Sequence, residues 1–294
     1  MAHEIRRIFK QHGLSPKKWM GQNLLVDTSY LERIVQAAEV EPGEAIVEVG
    51  AGLGILTDAL LTEGANVWAI EVDAGFFRIL EERFLGRQGV TLVHDDALKH
   101  DFRALAASLG RLRVVANLPY NISSRLIFMF QENSDIFGSL CILLQKEVAE
   151  RLEARPGTKD YGVLTVLLGI SATVELLFNI PGRAFYPVPE VTSTMVRVSF
   201  LEKPRFPVAD PAFFTRLVKA AFSGRRKTLR NSLRNSRIPL VSSDSIPDAA
   251  REAEIDLSRR GETLTPEEFA RFADSLHERL GEPPDRLRGW NAPQ

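Results

Sequence analysis

Between Asp27 and Glu39 the apolar side chains Leu31, Ile34, Val35 and Ala38 recur at i, i+3, i+4, i+7, one face of a helix, with Asp27 or Thr28 placed to cap it. Pro42 and Gly43 end that pattern. From Ala45 to about Phe200 short apolar runs alternate with helix-periodic segments: AIVEVG then ILTDALLTEG, NVWAIEV then FFRILEERF, VTLVHDD, LRVVANLP then SRLIFMFQ, SLCILLQ then EVAERLEA. This alternation predicts an α/β fold of βαβ units, with a parallel sheet covered on both faces. ATVELLFNI and TSTMVRVSF add two β-rich runs, and IPGRAFYPVPEV between them reads as a Pro-rich loop too rigid to be a strand. KPRFPVADP reads as a linker into basic, helical sequence. The predicted organisation is an α/β body over 1–202, a small all-α domain over 203–281 and a loose tail over 282–294.

Composition narrows the class without naming the chemistry. The 294 residues are 45% apolar and 26% charged, an ordinary globular balance that excludes disordered, collagen-like and disulfide-scaffold proteins. No apolar run reaches membrane-spanning length and the N-terminus lacks a hydrophobic signal segment, so a cytoplasmic protein without a membrane partner is expected. The single cysteine, Cys141, fits a small core side chain, and the five histidines show no metal-ligand spacing, so no metal is expected.

A net charge of -1 argues against a nucleic-acid partner until it is divided along the chain. Residues 1–20 carry +4, from Arg6, Arg7, Lys10, Lys17 and Lys18 against Glu4, whereas residues 203–237 carry +9 and 238–294 carry -5. RRKTLRNSLRNSR places six cations in thirteen residues, with Leu229 and Leu233 four apart on one helical face. A solvated helix face explains a lone basic run. Two such zones point towards phosphate binding, where cations release condensed counterions.

Chemistry enters at the first predicted strand, Ala45–Val49, which feeds Gly50-Ala51-Gly52-Leu53-Gly54 and then a helix starting near Leu53. Glycines there allow a sharp turn and close approach of a ligand to helix N-terminal amides. The third glycine comes one residue earlier than in a dinucleotide fold. With Glu48 inside the strand, the loop resembles the S-adenosylmethionine loop of class I methyltransferases. Glu71, ending the second strand, stands where an acid accepts both ribose hydroxyls, and Asp96, after the third, where one meets an adenine amine. Asp73 and Asp95 are neighbours able to take either role. A strand-end turn and a helix cap are the structural alternatives for Glu71 and Asp96.

The fourth strand ends in Asn117-Leu118-Pro119-Tyr120. An exocyclic adenine amine is a weak nucleophile because its lone pair is delocalised, and it must pyramidalise to attack a methyl sulfonium. The Asn117 side-chain oxygen and the Leu118 carbonyl suit the amine's two hydrogens, Pro119 fixes the turn without a competing donor, and Tyr120 offers a stacking face. Phe185 fits equally a second wall for the base or a core plug under its loop. Ser123 and Ser124 are expected to cap the next helix.

With these residues in hand, the chain closely resembles the bacterial small-subunit ribosomal RNA adenine dimethyltransferases, the KsgA/RsmA family. SPKKWMGQNLLVD, VEVGAGLGILT, NLPYNIS, RPGTKDYGVLTV, AFYPVPEVTSTMVRV and FSGRRKTLRNSL carry the resemblance, in the family's order and over nearly the whole chain. It implies a Rossmann-like class I fold with a mostly parallel seven-stranded sheet, and a helical C-terminal domain. It also implies S-adenosylmethionine contacts at Asn23, Leu25, Gly50, Gly52, Glu71, Asp96 and Asn117. The implied reaction transfers methyl groups to the N6 amines of two adjacent adenosines in a hairpin loop near the 3′ end of small-subunit rRNA, late in subunit assembly. Lys17, Lys18, Arg225, Arg226, Lys227, Arg230 and Arg234 are the candidate RNA contacts, and a monomer acting on RNA rather than DNA is expected. Met20, Leu24 and the Ser124-Arg125 pair depart from the family pattern, and Leu24 removes an aromatic near the cofactor mouth. The alternatives are a large-subunit rRNA methyltransferase of the antibiotic-resistance type, a subunit-assembly factor with incidental catalysis, and a small-molecule methyltransferase.

Overall fold

The computed structural model describes residues 2–16, 21–224, 226–236 and 245–280. Lys17, Lys18, Arg225 and the tail 282–294 therefore lie outside the described residues. The strands are β1 (Leu24–Leu25), β2 (Ala45–Val49), β3 (Asn66–Glu71), β4 (Val90–His94), β5 (Leu112–Asn117), β6 (Phe137–Gln145), β7 (Ala172–Ile180), β8 (Phe185–Tyr186) and β9 (Ser193–Phe200). The helices of the body are α1 (Ala2–Gln11), α2 (Thr28–Ala38), α3 (Ile55–Thr62), α4 (Ala74–Arg83), α5 (Phe102–Leu109), α6 (Ser123–Glu132) and α7 (Lys146–Leu152). The remainder are α8 (Val163–Ser171), α9 (Pro211–Ala221), α10 (Leu229–Asn235), α11 (Ser245–Glu252) and α12 (Pro266–Leu280).

Seven strands form one sheet in the order β4-β3-β2-β5-β6-β9-β7. β4 through β6 run parallel, and β9 is antiparallel to both β6 and β7. This is the mostly parallel, Rossmann-like seven-stranded sheet that the resemblance implies. Chain order reverses between β2 and β5, which are hydrogen-bonded neighbours, so their carboxyl ends open a crevice at the switch point. The central strands are apolar on both faces: Ile46, Val47, Val49, Val114, Val115 and Ala116 are all buried. Covered faces need no inside-outside alternation, which is why these strands read as continuous apolar runs.

The described residues divide into two compact units, one within 1–153 and 172–202, the other within 154–171 and 203–280. The chain crosses between the units after 202, and 154–171 groups with the second unit, where the sequence reading places it in the body. α8 explains the difference. Thr165, Val166, Leu167, Leu168 and Ile170 are buried, an apolar girdle too wide for a helix with a free face. In the same segment Tyr161 donates to the Leu264 carbonyl at 2.8 Å and the Gly157 amide to the Glu262 carbonyl at 2.7 Å. α12 supplies buried Phe269, Phe272 and Leu276. Its start is a capping box, with the Glu268 amide donating to Thr265 Oγ1 at 3.1 Å and the Thr265 amide to Glu268 Oε2 at 2.7 Å.

Three local readings are corrected by the fold. The Pro-rich loop contains a strand after all, because β8 pairs antiparallel with β1, Leu24 opposite Tyr186 and Leu25 opposite Phe185. A two-residue edge pairing leaves Pro187 and Pro189 outside the ladder. Ser123 does not cap α6; its hydroxyl donates back to the Tyr120 carbonyl at 3.2 Å, and the cap position is Ile122. The helix after the glycine loop starts at Ile55, with Gly54 as its cap residue, rather than near Leu53. α1 had no counterpart in the sequence reading, although Ile5, Ile8 and Phe9 carry the helical spacing that would have found it.

Candidate active site

The crevice between β2 and β5 is floored by backbone. Gly50 and Gly52 have φ of 76° and 59°, left-handed values that side chains with a Cβ rarely adopt. A Cβ on Gly50 would meet Pro119 ring carbons at 3.1 Å, and one on Gly52 would meet Leu24 Cδ2 at 3.0 Å. Glycine thus lets the loop touch both the Asn117–Tyr120 turn and β1. The resulting cleft is narrow, about 40 Å³, and is lined by Leu24, Leu25, Glu48, Gly50, Leu53 and Asn117 among others.

At the end of β3, Glu71 is 6% exposed and uses both carboxyl oxygens: Oε2 accepts from the Gly52 amide at 2.8 Å and Oε1 from the Asp73 amide at 2.8 Å. Burial pushes its carboxyl above the usual range despite these donors. Deeper in the same wall Glu48 is held by Thr57, whose hydroxyl donates at 2.5 Å, and burial pushes Glu48 up to about 8. After β4, Asp96 Oδ1 accepts from the Leu98 amide at 3.0 Å, so this acid shapes a turn while its side chain remains partly exposed. The two possible substitutes are engaged elsewhere. Asp73 caps α4 through the Gly75 and Phe76 amides, and Asp95 pairs with His100 Nδ1 at 2.8 Å, which holds its carboxyl below the usual range.

At the end of β5, Asn117 Nδ2 donates to the Asn23 carbonyl at 2.8 Å. That bond decides which way the amide points, since only the nitrogen end can donate to a carbonyl. Among the described residues, neither Asn117 Oδ1 nor the Leu118 carbonyl accepts a hydrogen bond. Asn23 Nδ2 donates to the Gly21 carbonyl at 3.2 Å, and a Cβ on Gly21 would meet the Tyr120 amide nitrogen at 2.8 Å. The segment before β1 therefore rests directly on the Asn117–Tyr120 turn. Tyr120 is anchored from the other side by a short hydroxyl contact to Ser193 Oγ, and burial raises its phenol. Ser193 is fully buried, and sequence reading gave no signal for it.

The structure brings Asn23, Leu25, Gly50, Gly52, Glu71, Asn117 and Tyr120 to one crevice edge, with Asp96 in the loop after the neighbouring β4. Phe185 is different. It is 1% exposed and belongs to the apolar core with Leu25, Ile180 and Met195, so it presents no open ring as a second wall. Cys141 is likewise a core side chain, its thiol pushed up to about 11 by burial. In the second unit, α10 buries Leu229 and Leu233 and leaves Arg230 and Arg234 exposed, as are Arg226 and Lys227 just before it. Among the described residues no cluster could hold a metal ion, and no helix is long and apolar enough to cross a membrane.

Residues 13–276 match the family model described as ribosomal RNA adenine dimethylase. The chain belongs to this family. Two relatives, both named ribosomal RNA small subunit methyltransferase A, agree over almost their whole length. That of Magnetococcus marinus is 42% identical over 94% of this chain and 98% of its own. That of Geobacter metallireducens is 44% identical over 90% and 96%. Among solved structures, a dimethyladenosine transferase from Plasmodium falciparum superposes with a TM-score of 0.70 at 24% identity, over 85% of this chain and 95% of that one. The 23S rRNA methyltransferase ErmE gives 0.62 at 24% identity, over 86% and 99%. These two share the fold. As a member of the dimethylase family the chain is an S-adenosylmethionine-dependent rRNA adenine methyltransferase.

Proposed function

We propose that this enzyme dimethylates the N6 amines of two adjacent adenosines in a hairpin loop near the 3′ end of small-subunit rRNA. The observation that carries the reading is the pair of acceptors at the end of β5 that no described donor occupies, Asn117 Oδ1 and the Leu118 carbonyl, with the amide orientation fixed by Asn23. Two acceptors match the two hydrogens of an adenine amine. Drawing both hydrogens to one side pyramidalises the nitrogen and turns its lone pair towards the methyl donor. No strong base is required, because the amine proton becomes acidic once the nitrogen is alkylated. Tyr120, held by Ser193, supplies the stacking face for an extruded base.

The residues present fit S-adenosylmethionine. The glycine cradle leaves room that a Cβ would fill, Glu48 lines the same cleft, and Glu71 stands at the end of the adjoining β3. Once bound, the cofactor supplies an electrophilic methyl group on a sulfonium. Glu71 would hold the ribose hydroxyls with the lone pairs that Gly52 and Asp73 leave unused, Asp96 would accept from the adenine amine, and Asn23 and Leu25 would close the N-terminal side. Arg226, Lys227, Arg230 and Arg234, together with Lys17, Lys18 and Arg225, contact phosphates. The relatives' shared small-subunit name supports this substrate over large-subunit RNA.

The test is incubation with labelled S-adenosylmethionine and, separately, unmethylated small subunits, large subunits lacking adenine methylation, and protein-free RNA of each. Label confined to small-subunit RNA is expected. Label entering large-subunit RNA instead would overturn the proposal, and binding to small subunits without turnover would leave an assembly factor.

A further inference from the structure

We propose that α1 is a phosphate-docking element of the catalytic unit, holding RNA backbone beside the cleft independently of the basic zone around α10. The inference rests on the reading that RNA is the substrate. α1 is two-faced. Ile5 and Phe9 are buried against Leu24, Leu53, Phe76 and Ile79, so the helix is seated partly on the glycine loop itself, through Leu53. Arg6, Arg7 and Lys10 lie on the other arc, all exposed, with Lys10 one turn from both arginines. None of the three forms an ion pair with a described carboxylate.

Their position relative to the chemistry follows from short links. The Arg6 guanidinium lies 5.4 Å from the centre of the Tyr186 ring, and Phe9 packs on the same ring at 6.1 Å. Tyr186 is paired with Leu24 across the β1–β8 ladder, and Leu24 follows Asn23, whose carbonyl orients Asn117. Stacking on an aromatic face restrains a guanidinium while leaving its N–H donors free for phosphate oxygens. Burial of Ile5 and Phe9 fixes where these cations stand. A flexible basic arm would supply charge without that placement. The row suits a phosphodiester chain better than a carboxylate-rich peptide, because each nucleotide beside a target base brings one charge at regular spacing.

The experiment uses the full chain with Arg6→Gln, Arg7→Gln and Lys10→Gln combined, and as a control Arg6→Lys with Arg7→Lys. Binding to unmethylated small subunits is measured across salt concentrations, and S-adenosylmethionine affinity by calorimetry. Each lost phosphate contact lowers the slope of log affinity against log salt by about 0.7 to 0.9. A fall of about 2 is expected for the triple variant, with cofactor affinity unchanged and the lysine control keeping the wild-type slope. An unchanged slope in the triple variant overturns the proposal. So does a fall accompanied by lost cofactor affinity, since the helix would then act by supporting the cleft. If the unmodified enzyme methylates no RNA, the failure lies in the substrate reading instead.

Discussion

The two sides of the crevice are held together differently. At the ends of β3 and β4 the functional acids are satisfied by neighbours in their own loops or the adjoining one: Glu71 by Gly52 and Asp73, Asp96 by Leu98. At the end of β5 the groups are fixed by residues far away in sequence. Asn117 is oriented by Asn23, 94 positions earlier, and Tyr120 is tied to Ser193, 73 positions later. The nucleoside side is thus rigid through local backbone geometry, and the chemical side through long-range closure by β1, β8 and β9. Binding the cofactor and performing the transfer should therefore be separable by mutation.

The largest expected effect is on the chemical side. Asn117→Ala should lower single-turnover methyl transfer by about a hundred- to a thousandfold, the usual loss for one placed polar group at a reacting centre, while calorimetry finds RNA affinity near normal. Glu71→Ala should act on the opposite side, weakening cofactor binding about ten- to a hundredfold with subunit affinity untouched. Equal loss of both affinities would erase the distinction between the sides. Ser193→Ala should lower kcat by about three- to tenfold without changing cofactor affinity, as expected for one hydrogen bond. Tyr120→Phe should do the same, and the double variant should be no worse than either single one. Additive losses would mean the hydroxyl pair does not position the ring.

The smallest effect concerns Glu48. Its carboxyl ordinarily titrates near 4.5 and in the folded chain near 8, so the folded state keeps a proton that the unfolded state has released. Between those values the folded state binds more protons, and stability must fall as pH rises, levelling above about 8. Glu71, raised in the same direction, adds to the slope. Glu48→Gln should flatten the decline in Tm between pH 5 and 8 measured without cofactor. A decline as steep as in the wild type would assign it to other groups.

This contrast also explains what could be read from the sequence. The βαβ rhythm, the glycine loop and the acids at strand ends are local patterns, dictated by burial on both faces and by turn geometry. The Asn117–Tyr120 tetrapeptide is equally local, and its acceptor chemistry follows from residue type alone. Ser193 was invisible because its role depends on β9 lying antiparallel to β6, which sets it opposite Gln145 and, across β6, within reach of the Tyr120 hydroxyl in the turn after β5. Asn23 was reached only by resemblance, and its main-chain contribution leaves no trace in side-chain pattern. Phe185 had two readings because an aromatic in a rigid loop can face in or out. Pairing of β8 with β1 turns it into the core. Residues 154–171 were misplaced because a helix buried nearly all round does not reveal in sequence which unit buries it.

The most direct test of the account is the mass-spectrometric mapping of every methylated nucleoside after exhaustive reaction of unmethylated small subunits with S-adenosylmethionine. Two neighbouring N6,N6-dimethyladenosines near the 3′ end, and no other new modification, are expected. Methylation at a base lacking an exocyclic amine, or at a ribose, would contradict the two-acceptor chemistry assigned to Asn117 and Leu118.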